Sequence, residues 1–138
     1  EVGLRGAQTS AHELNPDLGI VIEGTVCADM PEVDEHSKTT LTGKGAALSI
    51  MDNRTVYDID IVRYIARLAE DNNIPYQFRK SSSGGNDAGA IQRVNEGAKV
   101  AAISVPCRYI HSSVSVASKN DYNSVVALTK AVLLDQVK

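Results

Sequence analysis

The sequence has no tryptophan and a single phenylalanine, so aromatic residues make up only 4% of the chain. Clefts that bind polysaccharides usually present aromatic platforms, and this composition therefore argues against a glycoside hydrolase. The two cysteines, Cys27 and Cys107, are far apart and belong to no CxxC motif. Their spacing does not favour a disulfide between them, and it is typical of reduced thiols in a cytoplasmic protein.

Long apolar runs and a dominant charge are also missing. No apolar run approaches the roughly 18 residues of a membrane span, and we expect no signal peptide. The net charge is −3, with acidic and basic residues interspersed. This balance predicts binding neither to nucleic acid nor to an anionic membrane surface.

What the sequence does contain is enough apolar material for one core. Its 138 residues, 43% of them hydrophobic and 22% charged, are ordinary for a single globular domain. The first residue is Glu1 rather than methionine, and it leads directly into a stretch of helix formers and small residues. We therefore expect the chain to be part of a longer protein.

Apolar periodicity divides the chain into alternating helices and strands. Spacing along one helix face predicts a helix over 58–72 capped by Asp58, whereas continuous apolar runs predict buried strands. Helices are predicted over 2–14, 58–72, 88–96 and from 120 onward, and strands over 18–22, 46–51, 74–78, 100–105 and 114–117. Pro106 is expected to end the strand before it, and Asn120 and Asp121 to cap the last helix. This order predicts an α/β domain whose parallel or mixed central sheet lies between layers of helices.

Two carboxylates and one histidine lie near predicted strand ends, namely Glu1, Glu23 and His111. Strand ends of α/β folds commonly hold ligands and metals. Carboxylate and imidazole donors suit zinc, cobalt or manganese, and such a metal with an open position can polarise a carbonyl and activate water. Spacing alone leaves their convergence open, and a lone histidine such as His111 is also commonly a surface or core residue.

Several short segments, taken together, resemble one enzyme family. They are Glu1-Val-Gly-Leu-Arg-Gly-Ala, Ile22-Glu23-Gly-Thr with Ala28-Asp29 and Pro31, Gly43-Lys44-Gly45, Ile50-Met51-Asp52, Gly84-Gly-Asn-Asp-Ala-Gly-Ala90 and Ser104-Val-Pro-Cys-Arg-Tyr-Ile-His-Ser112. In this order, from Glu1 nearly to the C-terminus, they resemble metallopeptidase family 42. This family of two-metal aminopeptidases includes the tetrahedral (TET) particles, the glutamyl aminopeptidases and FrvX-like proteins, and some members carry the label endoglucanase.

The resemblance implies roles for particular residues. The equivalents of Glu1 and His111 bind one ion of the family's metal pair, and the equivalent of Glu23, which is aspartate in many members, binds the other. The family's general base is a glutamate directly before Glu1, so no residue of this chain is assigned as the catalytic base. The two divalent ions implied are zinc or cobalt.

Other residues are implied beside the substrate or behind the metal ligands. This set comprises Asp29, Gly84, Gly85, Asp87, Arg108 and Tyr109. The glycine-rich segment is similar to the family's Gly-Gly-Thr-Asp-Ala loop at the substrate cleft, with Asn86 in place of threonine, and Asn86 or Asp87 is expected to cap the following helix. Arg108 and Tyr109 are expected to orient His111, because a ligating imidazole needs a partner for its second ring nitrogen.

The resemblance implies that residues 1–138 are the C-terminal portion of the catalytic domain of such an enzyme. That domain is a three-layer αβα sandwich of the zinc-peptidase type. The family's remaining metal ligands, its general base and its inserted dimerisation domain would lie upstream. The full-length protein would hydrolyse N-terminal residues from peptides with a metal-activated water and would form a dimer-based homo-oligomer, as in the family's dodecamers, whereas the isolated chain would be inactive.

Two other functions stay open at this point. The chain could be a non-catalytic structural or assembly module of the same fold, which the missing ligands favour. A glycoside hydrolase that uses Glu23 and Asp29 as its acid pair is the other alternative, and the shortage of aromatic residues counts against it.

Overall fold

The computed structural model describes residues 2–135 and has the predicted alternation of helices and strands. The helices are α1 (Arg5–Leu14), α2 (Ile59–Asp71), α3 (Ala88–Ile91) and α4 (Lys119–Asp135), and short 3₁₀ turns cover Val2–Leu4 and Glu35–Ser37. The strands are β1 (Leu18–Val26), β2 (Ala46–Leu48), β3 (Tyr76–Phe78), β4 (Lys99–Arg108) and β5 (Val116–Ala117). No helix in this range is long and apolar enough to cross a membrane.

The strands form one mixed sheet in the order β1-β4-β2-β3, with β5 beside the end of β4. β1 runs parallel to β4 over its whole length, from Leu18 opposite Lys99 to Val26 opposite Cys107. β2 is parallel to β3 and antiparallel to β4, and β5 is also antiparallel to β4. The prediction of a mixed central sheet is confirmed.

Helices cover both faces of this sheet. On one face, Ile65 of α2 and Leu128 of α4 pack with Ile103 of β4 in a core where all three are fully buried. On the other face, Ala88 at the start of α3 packs with a second cluster that contains Ala102 of β4. Because successive residues of β4 point to opposite faces and both faces are covered, the strand reads as a continuous apolar run. The three-layer αβα arrangement is confirmed.

The two central strands are longer than predicted. β1 continues past Ile22 to Val26, and β4 continues through Pro106, which was expected to end it. Pro106 is tolerated because it falls between the antiparallel partners of β4: β2 pairs with Ile103 and Ser104, and β5 pairs only from Cys107 onward. A missing N–H at this gap breaks no sheet hydrogen bond. Both strands therefore carry their C-terminal ends further toward the same edge.

The helices agree with the prediction where it rested on a capping side chain close in sequence. Asp58 caps α2 as predicted, since its Oδ1 accepts from the N–H groups of Asp60 at 3.1 Å and Ile61 at 3.0 Å. α3, however, ends at Ile91 instead of Glu96. Beyond it the backbone bonds tighten to i−3 spacing, as in the N–H of Val94 donating to the carbonyl of Ile91 at 3.3 Å, which ends the regular helix.

The predicted cap of α4 at Asn120 and Asp121 is wrong. Ser118 Oγ accepts from the N–H of Asn120 at 3.2 Å and lies 3.5 Å from that of Asp121, so Ser118 is the capping residue. Asp121 instead points into the protein and is 1% exposed. Its carboxylate accepts from the N–H groups of Gly43 at 2.7 Å and Gly45 at 2.8 Å, which ties the start of α4 to the turn before β2.

Candidate metal centre and substrate cleft

A polar cleft of about 760 Å³ lies at the C-terminal ends of β1 and β4. Glu23 and His111, two of the three predicted metal ligands, both line it. The third, Glu1, lies outside the described residues, while Gly3 and Leu4, which follow it closely in sequence, also line the cleft. The fold therefore brings two predicted ligands that are distant in sequence to one cleft.

The pairing of β1 with β4 determines where Glu23 lies. In the parallel register Glu23 stands opposite Ser104, and Gly24 opposite Val105. The strands are packed closely at this level, because a Cβ added to Gly24 would lie 3.2 Å from Cys107 Sγ. The half-buried Glu23 is therefore carried by a paired strand between close neighbours rather than by a loop.

His111 lies in a turn whose backbone is unusual. Tyr109 (φ 59°) and His111 (φ 65°) both have left-handed conformations, which cost energy for residues other than glycine. Ser112 holds the turn: its N–H donates to the Tyr109 carbonyl at 3.1 Å, and its hydroxyl lies 2.6 Å from the carbonyl oxygens of both Tyr109 and Val114. The motif Arg-Tyr-Ile-His-Ser thus includes the residue that stabilises the turn on which the histidine is carried.

Asp29 and Arg108 form an ion pair that joins the end of β4 to the loop after β1. Arg108 Nε donates to Asp29 Oδ1 at 2.6 Å, and Asp29 Oδ2 accepts from the N–H of Thr42 at 2.8 Å. The Arg108 hydrogen bond holds the pKa of the Asp29 carboxyl well below its usual range, although burial opposes the shift. A carboxyl held ionised in this way is unsuited to donate a proton, which argues against Asp29 as a glycosidase acid.

Of the residues predicted around the ligands, the glycine-rich ones reach the cleft and the others do not. The segment 84–87, hereafter the glycine loop, lines it with all four residues. Asp29, Arg108 and Tyr109 are not among the described residues that line it. Asn86 rather than Asp87 provides the cap before α3, because Asn86 Oδ1 accepts from the N–H of Ala88 at 2.8 Å whereas Asp87 makes no side-chain capping bond.

Sequence reasoning missed a buried hydrogen-bonded group beside the glycine loop. Tyr57 donates its hydroxyl proton to Asp52 Oδ2 at 2.7 Å and accepts from Asn86 Nδ2 at 2.8 Å. Arg54 and Arg79, which also line the cleft, were missed as well. Asp52 belongs to one of the short family-like segments, but nothing local in the sequence links it to Tyr57 or to the distant Asn86.

The described residues supply part of a metal-binding donor set. Among residues 2–135, no three histidine, cysteine, aspartate or glutamate side chains come together as a ligand group. Glu23 and His111 nevertheless provide one carboxylate and one imidazole at the same cleft. These are donor types that zinc and cobalt accept, so the residues present fit a share of such a site.

A polar cleft at the carboxyl ends of parallel strands in a helix-covered sheet is the place where α/β domains commonly bind ligands. The family model of the M42 glutamyl aminopeptidases matches residues 1–128. The chain belongs to this family, and the resemblance predicted from the short motifs is confirmed.

Relatives and solved structures agree with this assignment. A lysyl aminopeptidase of Pyrococcus furiosus is 32% identical over 139 residues, which cover 100% of this chain and 38% of that protein. A TET aminopeptidase of the marine sediment archaeon Thaumarchaeota archaeon SCGC AB-539-E09 superposes with a TM-score of 0.93 at 34% identity, covering 100% of this chain and 38% of that one. The TET1 peptidase of Pyrococcus horikoshii superposes with a TM-score of 0.77 at 32% identity, covering 95% of this chain and 37% of that one. The chain spans 36–38% of the length of the curated relatives it matches.

Proposed function

We propose that the full-length protein is a metal-dependent aminopeptidase that removes N-terminal residues from peptides, and that this chain is the C-terminal portion of its catalytic domain. The observation that carries the proposal is that Glu23 and His111 line one cleft together with the glycine loop. Membership of a family of aminopeptidases supports the same activity.

In this proposal His111 and Glu1 hold one divalent ion and Glu23 holds a second, with zinc or cobalt as the metals. Bound there, such ions would supply Lewis acidity toward a peptide carbonyl and would lower the pKa of water. The turn closed by Ser112 keeps the imidazole of His111 at the cleft. The glycine loop forms the wall against which the N-terminal part of a peptide would lie.

The proposal assigns the other ligands, the general-base glutamate and an inserted dimerisation domain to sequence upstream of Glu1. The relatives are longer than this chain, which supports the existence of further sequence in the full-length protein. Without those groups, the isolated chain is expected to have no aminopeptidase activity. In the full-length protein, this chain would form one part of the active-site cleft, and the upstream sequence would form the rest.

An apolar groove on the described part of the chain offers a surface for a covering segment. The groove, of about 700 Å³, lies between β1 and α4 and is lined by apolar side chains such as Ile22, Val126 and Leu133, which are 54%, 49% and 70% exposed. Within residues 2–135, β1 pairs only with β4. We propose that the upstream part of the same protein covers this groove and the outer edge of β1. Amide hydrogen exchange over 18–26 should then be slower in the full-length protein than in the isolated chain, and equal rates would contradict the proposal.

The decisive experiment is His111→Ala in the full-length protein. We expect loss of one bound ion and of hydrolysis of aminoacyl chromogenic substrates, because an imidazole ligand is removed. His36→Ala is the matched control, since His36 is exposed on the 3₁₀ turn Glu35–Ser37 and does not line the cleft. Full activity and full metal content in the His111→Ala protein would sink the assignment.

A homo-oligomer and a cytoplasmic location complete the proposal. The TET1 peptidase of Pyrococcus horikoshii assembles into a tetrahedron or an octahedral shell, which supports a dimer-based assembly here, with the dodecamer as one form. The free thiols of Cys27 and Cys107 suit a reducing compartment. Light scattering of the full-length protein tests the first point, and cell fractionation tests the second.

A non-catalytic structural module is the second candidate. It is favoured by one observation, the lack of a three-ligand group among residues 2–135. Metal titration of the isolated chain discriminates between the candidates. Tight binding of a single ion supports a retained half of a metal site, whereas no binding to the chain combined with an inactive full-length protein supports the structural module.

A further inference from the structure

Beside the glycine loop, buried hydrogen bonds link three side chains from two segments of the chain. Asn86 Nδ2 donates to the Tyr57 hydroxyl at 2.8 Å, and that hydroxyl donates to Asp52 Oδ2 at 2.7 Å. Asn86, Tyr57 and Asp52 are 7%, 3% and 8% exposed. Water has little access to these groups, so leaving any one of them without its partner is costly.

The backbone at each end fixes the direction of these hydrogen bonds. The N–H of Ala88 donates to Asn86 Oδ1 at 2.8 Å, so the amide nitrogen of Asn86 is the group that faces Tyr57. The N–H of Arg54 donates to Asp52 Oδ1 at 2.8 Å, which leaves Oδ2 for the phenol. Burial raises the pKa of the Tyr57 phenol well above its usual range, and the hydrogen bond to Asp52 raises it further. The phenol therefore stays protonated and donates.

These bonds connect two parts of the cleft lining. Asp52 and Asn86 both line the cleft, whereas Tyr57 lies behind them. A second tether runs in parallel, because the N–H of Asn53 donates to the carbonyl of Gly84 at 3.0 Å. The segment that begins at Asp52 thus holds the glycine loop at both its first and its third residue.

A threonine at position 86 could make only part of these contacts. Its hydroxyl can accept from the N–H of Ala88, as threonine side chains do in turns. The hydroxyl is bonded directly to Cβ, however, whereas the amide nitrogen of Asn86 is one bond further out. Asn86→Thr therefore leaves the Tyr57 oxygen without its donor.

We propose that Tyr57 and Asn86 are positioning residues that hold the glycine loop in its peptide-binding conformation. They would accordingly set the affinity for substrate rather than the rate of the chemical step. This inference rests on the proposed aminopeptidase function, because it assigns the loop to the peptide substrate.

The test compares three variants of the full-length protein. Tyr57→Phe removes the phenol, and Asn86→Thr is the milder variant in case the first folds poorly. Tyr76→Phe is the control, because it removes an exposed tyrosine–carboxylate hydrogen bond away from the cleft, from the Tyr76 hydroxyl to Glu70 Oε1 at 2.6 Å. For the two test variants we expect KM to rise about three- to tenfold, as for the loss of one hydrogen bond. The kcat and the bound metal should stay unchanged, and the control should match the wild type.

Amide hydrogen exchange over residues 84–88 provides a readout that does not depend on activity. It should be faster in Tyr57→Phe and Asn86→Thr than in the control. Unchanged KM and unchanged exchange would overturn the inference, as would a fall in kcat at constant KM, which indicates only a smaller folded fraction. An inactive wild-type protein contradicts the proposed function and with it the substrate part of this inference, while the exchange rates still test whether the loop is held.

Discussion

Substituting Gly45 by alanine should destabilise the protein far more than the same change at Gly43. Both glycines have a left-handed backbone, with φ of +87° and +82°, and both donate their N–H to Asp121. Their surroundings differ: a Cβ on Gly45 would lie 2.0 Å from the carbonyl oxygen of Pro75, whereas a Cβ on Gly43 would have no atom within 4 Å. Gly43→Ala is therefore a matched control for the effect of crowding.

The loss of stability expected for Gly45→Ala can be worked out from the groups that the new Cβ would displace. A left-handed alanine costs about 1 kcal/mol at either position. At Gly45 the Pro75 carbonyl must also move, and this carbonyl accepts the N–H of Ala46 at 3.0 Å, where β2 begins to pair with β3. Loss of that bond adds about 1 kcal/mol, and a disturbed bond to the buried carboxylate of Asp121 adds about 2 kcal/mol. We expect losses of about 1 kcal/mol for Gly43→Ala and about 4 kcal/mol for Gly45→Ala.

Urea-induced unfolding followed by far-UV circular dichroism measures both free energies of unfolding. Intrinsic tryptophan fluorescence cannot be used, because the chain has no tryptophan. Equal losses in the two variants would refute the reasoning, since they would mean that Pro75 does not crowd Gly45. A large loss in Gly43→Ala would show that the shared backbone conformation, and not the contact, dominates.

Two further predictions concern carboxylates whose pKa the fold lowers. Asp29→Asn should lower the thermal stability at neutral pH. Arg108 depresses the pKa of Asp29 in the folded state, so the ionised carboxylate stabilises the fold. This stabilisation is complete above the unfolded-state pKa of about 4 and is lost as the pH falls further. Thermal unfolding from pH 7 to pH 2 should therefore show the difference between variant and wild type shrinking below pH 4, and a constant difference would contradict it. Asp58→Ala should cost about 1 kcal/mol by removing the cap of α2. Asp60→Ala, in the first turn of α2, should cost less in the same urea titration, and the reverse order would show that the cap is not what stabilises α2.

Features encoded locally were predictable from the sequence. The helix α2 and its cap at Asp58 follow from apolar spacing and one side chain that reaches its own backbone. The placement of Glu23 and His111 near strand ends was also predictable, because each follows an apolar run. Their meeting at one cleft depends on the parallel pairing of β1 with β4, which their spacing left open.

Features that depend on a distant partner were not predictable. Asp121 has the chemistry of a helix cap and lies in the first turn of α4. Its carboxylate instead accepts two N–H groups of the turn before β2 inside the core. Pro106 reads as a strand terminator, and only the gap between β2 and β5 makes it acceptable within β4. In each case the tertiary surroundings outweigh the local preference.

In the candidate site, too, features formed by neighbouring residues were predictable, and contacts between distant residues were not. The motif around His111 indicated its position because the turn and its stabilising Ser112 are contiguous in sequence. The link between Tyr57 and Asn86 joins residues from different segments, and neither residue type alone signals it. Such contacts become predictable only when the positions of the sheet and its loops are known.

The parallel pairing of β1 with β4 has a consequence for how the protein folds. It joins a strand that begins at Leu18 to a strand that begins only at Lys99, with β2, β3 and two helices between them in the sequence. Pairings of such high sequence separation form slowly, and during synthesis β1 leaves the ribosome long before β4 exists to receive it. The apolar run of β1 must therefore stay protected from association for that interval. Because Glu23 takes its position from this pairing, the cleft is among the last features of the domain to form.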